Sequence, residues 1–235
     1  GVCHPGAARR LGLRPISDRS EWLAVLRDIF AAAAAGPLHL QHLSLAASAA
    51  ALRKAKAAGW PVTGETCPHY FTLSERAIRR DDAAFKMKPP LRSEPDRVAV
   101  LRALADGTID LIASDHAPHT AARKAGGFKT APFGVIGLET LAPICVTELA
   151  LKKVVTRTRL AQLLCSNPAR LLGLRRKGSL RPGSDADVTV LDPRRARRVP
   201  GQFVSKSGNS PFTGRLLRGW PALTVARGRV VFRGA

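Results

Sequence analysis

Gly107-Thr108-Ile109-Asp110-Leu111-Ile112-Ala113-Ser114-Asp115-His116-Ala117-Pro118-His119 decides how the chain is read. A glycine stops whatever precedes it, a nearly continuous apolar run follows, and the run ends in a knot of titratable side chains. A strand buried on both faces, as in a parallel sheet covered by helices, has that apolar continuity. The expected strand is Thr108 to Ser114. Upstream, Ser93 caps a helix with Val98, Leu101 and Leu104 on one face, and Gly107 ends it. The prolines of Lys86-Met87-Lys88-Pro89-Pro90 forbid helix before it.

The same order repeats toward the N-terminus. Trp60 to Thr66 reads as a strand ending at Cys67-Pro68, after an alanine-rich helix from about Ala46 to Ala58 closed by Gly59. Leu38 to Leu43 reads as another strand, after an amphipathic helix from Ser17 to Gly36. In that helix Asp18 and Glu21 form a capping pair, and Trp22, Val25, Leu26, Ile29 and Phe30 share one face. Downstream, helices are expected over 138–152 and 158–165, and Asn167-Pro168 opens a last short one. Strand–helix alternation with short turns predicts a parallel α/β sheet over 1–177. From 178 to 235 the texture is turn and strand, which predicts a small β subdomain. Its Arg194-Arg195-Ala196-Arg197-Arg198 run reads as a solvated loop.

The chain has 235 residues, 45% of them apolar and only 5% aromatic, so a core of Leu, Ala, Val and Ile is expected and disorder is excluded as the main state. Lys and Arg number 38 against 17 Asp and Glu, a formal net charge of +21. That charge raises nucleic-acid binding, which would show as strongly salt-dependent retention on DNA. No interleaving of aromatic and basic residues supports it, and none is expected. No apolar run approaches the roughly 20 residues needed to span a bilayer, and the start at Gly1 does not read as a signal peptide. Cys3, Cys67, Cys145 and Cys165 make no disulfide framework. They read as buried small apolar residues in a reducing, cytoplasmic compartment.

Three expected strands end in polar residues: His42, Glu65 and Ser114-Asp115-His116. Catalytic groups of parallel barrels project from such strand ends. His42 and Asp115 have the donor chemistry of Zn²⁺ ligands, and Asp115 could take a proton from a metal-activated water. His119 could hold an anionic substrate group. A lone strand-end histidine is more often a hydrogen-bonded structural residue than a ligand, and His4, His39 and His69 are read that way.

Longer segments carry a resemblance. They are Leu38-His39-Leu40-Gln41-His42-Leu43-Ser44, Glu65-Thr66-Cys67-Pro68-His69-Tyr70, Lys86-Met87-Lys88-Pro89-Pro90-Leu91-Arg92, the Asp115-His116-Ala117-Pro118-His119 segment, and Pro132-Phe133-Gly134-Val135-Ile136-Gly137-Leu138-Glu139-Thr140. Ser166-Asn167-Pro168-Ala169-Arg170 and Pro182-Gly183-Ser184-Asp185-Ala186-Asp187 extend it to the C-terminal half. Together they resemble the dihydroorotases of the cyclic amidohydrolase superfamily. Allantoinases and hydantoinases share part of the pattern and stand as the neighbouring alternative.

The resemblance implies the C-terminal part of a (β/α)₈ TIM-type metal-dependent hydrolase barrel, about strands six to eight, with a small β subdomain. It implies reversible zinc-dependent conversion of N-carbamoyl-aspartate to dihydroorotate, a step of pyrimidine synthesis, with one or two zinc ions. His42 and Asp115 would be metal ligands, and Asp115 also the catalytic base and acid. Lys88, His119, Phe133 and Gly134 would bind the small-molecule substrate, with Lys88 standing where the family has Asn. The family's His-x-His pair, its bridging carboxylate, a further metal-binding His and a substrate-pairing Arg precede the segment that resembles Gly1 onward. Such a chain is expected to be inactive alone. A homo-oligomer, or a non-catalytic scaffold subunit bound to a transcarbamoylase partner, is the alternative that the resemblance leaves open.

Overall fold

The computed structural model describes residues 1–234. They form two compact units: Gly1–Leu138 with Gln202–Pro211, and Glu139–Gly201 with the chain from Phe212 on. The division read at 177/178 lies inside the second unit, where it separates a helical stretch from strands.

The first unit opens with α1 (Pro5–Leu11), whose N-terminus is capped by His4 Nδ1 accepting from Gly6 N. Helix α2 (Arg19–Ala35) leads into β1 (Leu38–Leu40), α3 (Ala46–Ala57) into β2 (Val62–Thr66), and α5 (Glu94–Ala105) into β3 (Leu111–Ile112); the short α4 (Pro68–Thr72) lies after β2. The strands pair in parallel in the order β1-β2-β3, with Leu38 opposite Val62 and Glu65 opposite Leu111. They make an α/β set, and among the described residues they do not close a barrel.

Helix α2 departs from its expected cap. Asp18 has a helical backbone and caps nothing. Asp18 and Glu21 instead accept from Arg92, Nη1 to Oδ1 at 2.6 Å and Nη2 to Oε2 at 3.1 Å. The reason is burial: the Arg92 side chain is 2% exposed, and a buried charge must be paired. Glu21 also accepts from the backbone N–H groups of Ser44 and Leu45, which ties α2 to the loop after β1. The expected apolar face is only partly inside. Val25, Ile29 and Ala32 pack against Leu40, Leu43, Leu52 and Val62, while Trp22 and Phe30 are exposed.

The third strand is shorter than its apolar run. Only Leu111 and Ile112 pair regularly, because at Asp110 the side chain joins the ladder. Its Oδ2 accepts from Gly64 N at 2.9 Å and its Oδ1 pairs with Lys56 Nζ at 2.7 Å. Gly64 is required by packing, since a Cβ there would lie 2.5 Å from Leu52 Cδ2 and 2.9 Å from Leu43 Cδ1.

In the second unit α6 (Leu138–Cys145) runs into a wider π turn over Val146–Ala150, and further short helices follow to Leu171. Strands β4 (Val188–Arg198), β5 (Leu216–Ala226) and β6 (Arg229–Arg233) form an antiparallel sheet. The arginine run is therefore a strand and not a loop. Ala196, Arg197 and Arg198 pair with Arg218, Leu217 and Leu216, and an exposed strand face tolerates charge as readily as a loop does. Arg197 stacks on Trp220 at 5.3 Å. Cys3, Cys67 and Cys145 are buried, but Cys165 is exposed, contrary to the expectation for it. No described helix is long and apolar enough to cross a membrane.

Candidate active site

Strand ends supply the site. His42, just after β1, and Asp115, just after β3, both have left-handed backbone, φ 42° and φ 47°. Non-glycine residues rarely adopt that conformation, and where they do the strain tends to mark a functional turn. Each residue sits where the chain leaves the sheet, so the same backbone device re-aims both side chains.

Between them β2 contributes Glu65 and, through its exit, Cys67 and His69. Burial raises the Asp115 carboxyl above its ordinary value; the neighbouring His42 opposes that rise and Glu65 adds to it. The His69 imidazole is fully buried, and burial first, then His42, push its pKa down to about 3. His69 is neutral at physiological pH, and its Nε2 has no hydrogen-bond partner. Cys67, His69 and Asp115 each offer a ligand atom within 4.8 Å of the others. His42, expected as a ligand, couples electrostatically to both His69 and Asp115 without being a member of that group.

This donor set fits a divalent cation. Thiolate, neutral imidazole and carboxylate suit a borderline-soft ion such as Zn²⁺, and the unpartnered Nε2 is a buried donor atom that the protein itself leaves unsatisfied. Cys67 and His69, expected to be structural, lie in this group; the strand-end rule applied to His42, continued past Glu65, would point to them as candidates. His39 does behave as a structural residue, bridging Thr63 Oγ1 at 2.8 Å and Glu65 Oε2 at 3.1 Å.

The expected substrate-binding residues form a second cluster. His119 Nε2 lies 2.8 Å from the Phe133 carbonyl, and since a carbonyl only accepts, Nε2 carries the proton. Gly134 has φ 126°, and a Cβ there would fall 2.5 Å from Ala117 Cβ and 3.1 Å from His119 Nε2. Its N–H donates to Lys86 O, and its carbonyl accepts from Asn209 Nδ2 and Lys124 Nζ. Gly134 thus gives clearance, and its own backbone groups are already engaged. Lys88 is exposed, with Nζ 5.9 Å from the Phe133 ring centroid. It also lines a cavity of about 630 Å³ together with His42, Gln41, Glu21 and Arg92. Lys124 and Asn209 were not anticipated. Asn209 lies far along the chain and returns to the first unit, so no local pattern announces it. Lys124 is partly buried, and burial, with Lys86 nearby, lowers its pKa to about 8.

The amidohydrolase family matches residues 25–231. The chain belongs to that family. Among curated amidohydrolase relatives, the dihydroorotase of Pelotomaculum thermopropionicum is 46% identical over 236 residues, covering 99% of this chain and 55% of that protein. The dihydroorotase of Geobacillus thermodenitrificans is 44% identical over 235 residues, with the same coverage. The chain spans about half the length of the curated relatives it matches. Among solved structures, the L-hydantoinase (dihydropyrimidinase) of Arthrobacter aurescens superposes with a TM-score of 0.86 at 32% identity, covering 90% of this chain and 48% of that one. The dihydropyrimidinase of Brevibacillus agri gives 0.83 at 28% identity. Family and neighbours imply a TIM-barrel-type hydrolase fold, of which the described residues are a partial α/β set.

Proposed function

We propose that this chain carries strand-end machinery of a dihydroorotase-type cyclic amidohydrolase, which interconverts N-carbamoyl-aspartate and dihydroorotate. The observation that supports this most is the convergence of His42 and Asp115, both strained at φ 42° and φ 47°, in a chain 46% identical to a curated dihydroorotase.

Asp115 is the proton carrier. Its half-buried carboxyl holds a proton more readily than an exposed Asp. In the hydrolytic direction water adds to the ring carbonyl carbon and Asp115 takes the water proton. As the ring C–N bond breaks, the same proton goes to the departing nitrogen, which leaves the ureido group and a new carboxyl group whose remaining proton passes to solvent as it ionises. His42 and Asp115 would hold Zn²⁺, with one ion or two left open. A bound Zn²⁺ acidifies water and polarises a carbonyl.

His119 and Lys88 face the substrate carboxylate. His119 is held in place by its Nε2–H donating to Phe133 O, and Lys88 adds an unhindered ammonium. A lysine supplies a point charge and no acceptor, so it favours an anion over an amide edge.

The test supplies the remainder of the barrel. In the P. thermopropionicum dihydroorotase, the 55% of the protein that this chain matches is replaced by this chain, and dihydroorotate ring opening is followed in the hybrid. Turnover that falls by at least about 10²-fold in Asp115→Asn, with folding retained, is the expected result. A folded hybrid whose turnover survives Asp115→Asn overturns the assignment.

A further inference from the structure

Cys67 and His69 have no part in the proton-transfer scheme, yet the fold places both at the exit of β2 and turns them toward Asp115. Cys67 is the last extended residue before α4 and is fully buried, while His69 lies in the first turn of α4 and is 2% exposed. With Asp115 they offer one sulfur, one nitrogen and one carboxylate oxygen, all mutually within 4.8 Å. Ligands about 2.0–2.3 Å from a common ion fit inside such a spread.

A second observation points to a ligand. His69 Nε2 and, later in α4, Thr72 Oγ1 are buried without a partner, whereas the hydroxyls of Thr66 and Tyr70 are served. Thr66 Oγ1 donates to Leu43 O at 2.8 Å, and Tyr70 OH donates to Pro89 O at 2.8 Å. An unsatisfied buried polar atom costs about 1–3 kcal/mol, and a metal bond removes that cost. Asp115 is only half-buried, which gives an ion a way in from its side.

We infer that Cys67, His69 and Asp115 form a binding site for one thiophilic divalent cation, of the Zn²⁺ or Co²⁺ class, within this chain. The inference goes beyond the ring-opening reading and does not rest on it. It differs from that reading in its donors: it requires sulfur, and His42 is dispensable to it. Binding exchanges the thiol proton of Cys67 for a metal–sulfur bond and releases that proton to solvent.

The test uses the 235-residue chain, stripped with chelator and reloaded with the metal alone. Zinc-edge X-ray absorption on the unmodified chain is expected to show one sulfur at about 2.3 Å together with nitrogen and oxygen at about 2.0–2.2 Å. A shell of nitrogen and oxygen only, or no retained zinc, overturns the inference whatever the catalytic outcome. Titration with Co²⁺ is expected to give a thiolate-to-cobalt charge-transfer band at one ion per chain. The band should vanish in Cys67→Ser, persist in His42→Ala, Cys145→Ser and Cys165→Ser, and need at least about tenfold more Co²⁺ in His69→Gln, a loss of 1.4 kcal/mol or more. A band that survives Cys67→Ser, or is lost in His42→Ala, contradicts it. A hybrid enzyme that turns over dihydroorotate with no sulfur at its metal would leave the proposed function standing and this inference refuted.

Discussion

Arg92→Met tests how the first unit is held together. The Arg92 side chain is 2% exposed and its partners differ: Glu21 is 9% exposed and Asp18 is 45% exposed. Once the guanidinium is gone, Asp18 can turn to water, but Glu21 cannot. Glu21 keeps the backbone donors of Ser44 at 3.0 Å and Leu45 at 3.1 Å and loses the guanidinium that pairs with it. Ser44 Oγ also loses the Arg92 Nε donor at 2.9 Å. Removing one partner of a buried pair costs about 3–5 kcal/mol. The two surviving N–H bonds place this case at the lower end, about 3 kcal/mol. Urea denaturation followed by circular dichroism measures it. In the Arg92→Met background, Glu21→Gln is expected to recover stability, because it removes the stranded charge and keeps the acceptor. A loss under about 1 kcal/mol would put Arg92 with ordinary surface ion pairs and refute the reasoning. No recovery in the double variant would place the cost elsewhere.

Other consequences follow from single contacts. Gly134→Ala forces a Cβ to within 2.5 Å of Ala117 Cβ at a positive φ; a loss of about 1–3 kcal/mol is expected, read as a lowered melting temperature. Lys124 has its pKa lowered to about 8 in the folded chain, so between pH 8 and the ordinary lysine value near 10.4 the unfolded chain binds the extra proton. Its contribution to stability therefore rises with pH across that window. The stability difference between the parent and Lys124→Met should shift in favour of the parent from pH 8 to 10, and a flat difference would contradict the burial argument. Asp110→Ala removes the acceptor of Gly64 N, so exchange of the Gly64 amide should accelerate and stability fall by about 1–3 kcal/mol.

The parallel order of the first unit was legible because its signals are local. Glycines close α3 and α5, Ser93 accepts from Asp96 N as a cap should, and an apolar run marks β3. What periodicity missed was set by long-range pairing. Asp18 and Glu21 look like a cap until a buried Arg92, over seventy residues on, claims both. The arginine run looks like a loop until β5 lies beside it, and β3 shortens because Asp110 substitutes a side chain for a ladder bond. The site divides the same way. The candidates His42 and Asp115 are read from strand ends, His119 from the segment that follows Asp115, and Phe133 and Gly134 from the resemblance. Nothing in a sequence reports that the buried His69 nitrogen lacks a partner, or that Asn209 meets Gly134 across 75 positions.

On the proposed function, the site takes a cyclic amide bearing a carboxylate, Asp115 moves the proton, and His119 and Lys88 hold the anion. The direct measurement is the ratio of kcat/KM for dihydroorotate over dihydrouracil, which lacks the carboxylate, in the hybrid enzyme. A site that pairs a buried or half-buried anion discriminates by about 10²-fold or more, since one charge-assisted contact contributes roughly 1.5–3 kcal/mol and two such contacts are proposed here. A ratio above about 10², falling in His119→Asn, is expected. A ratio near one, or a preference for dihydrouracil or hydantoin, would contradict it and move the chain to the hydantoinase side of its family.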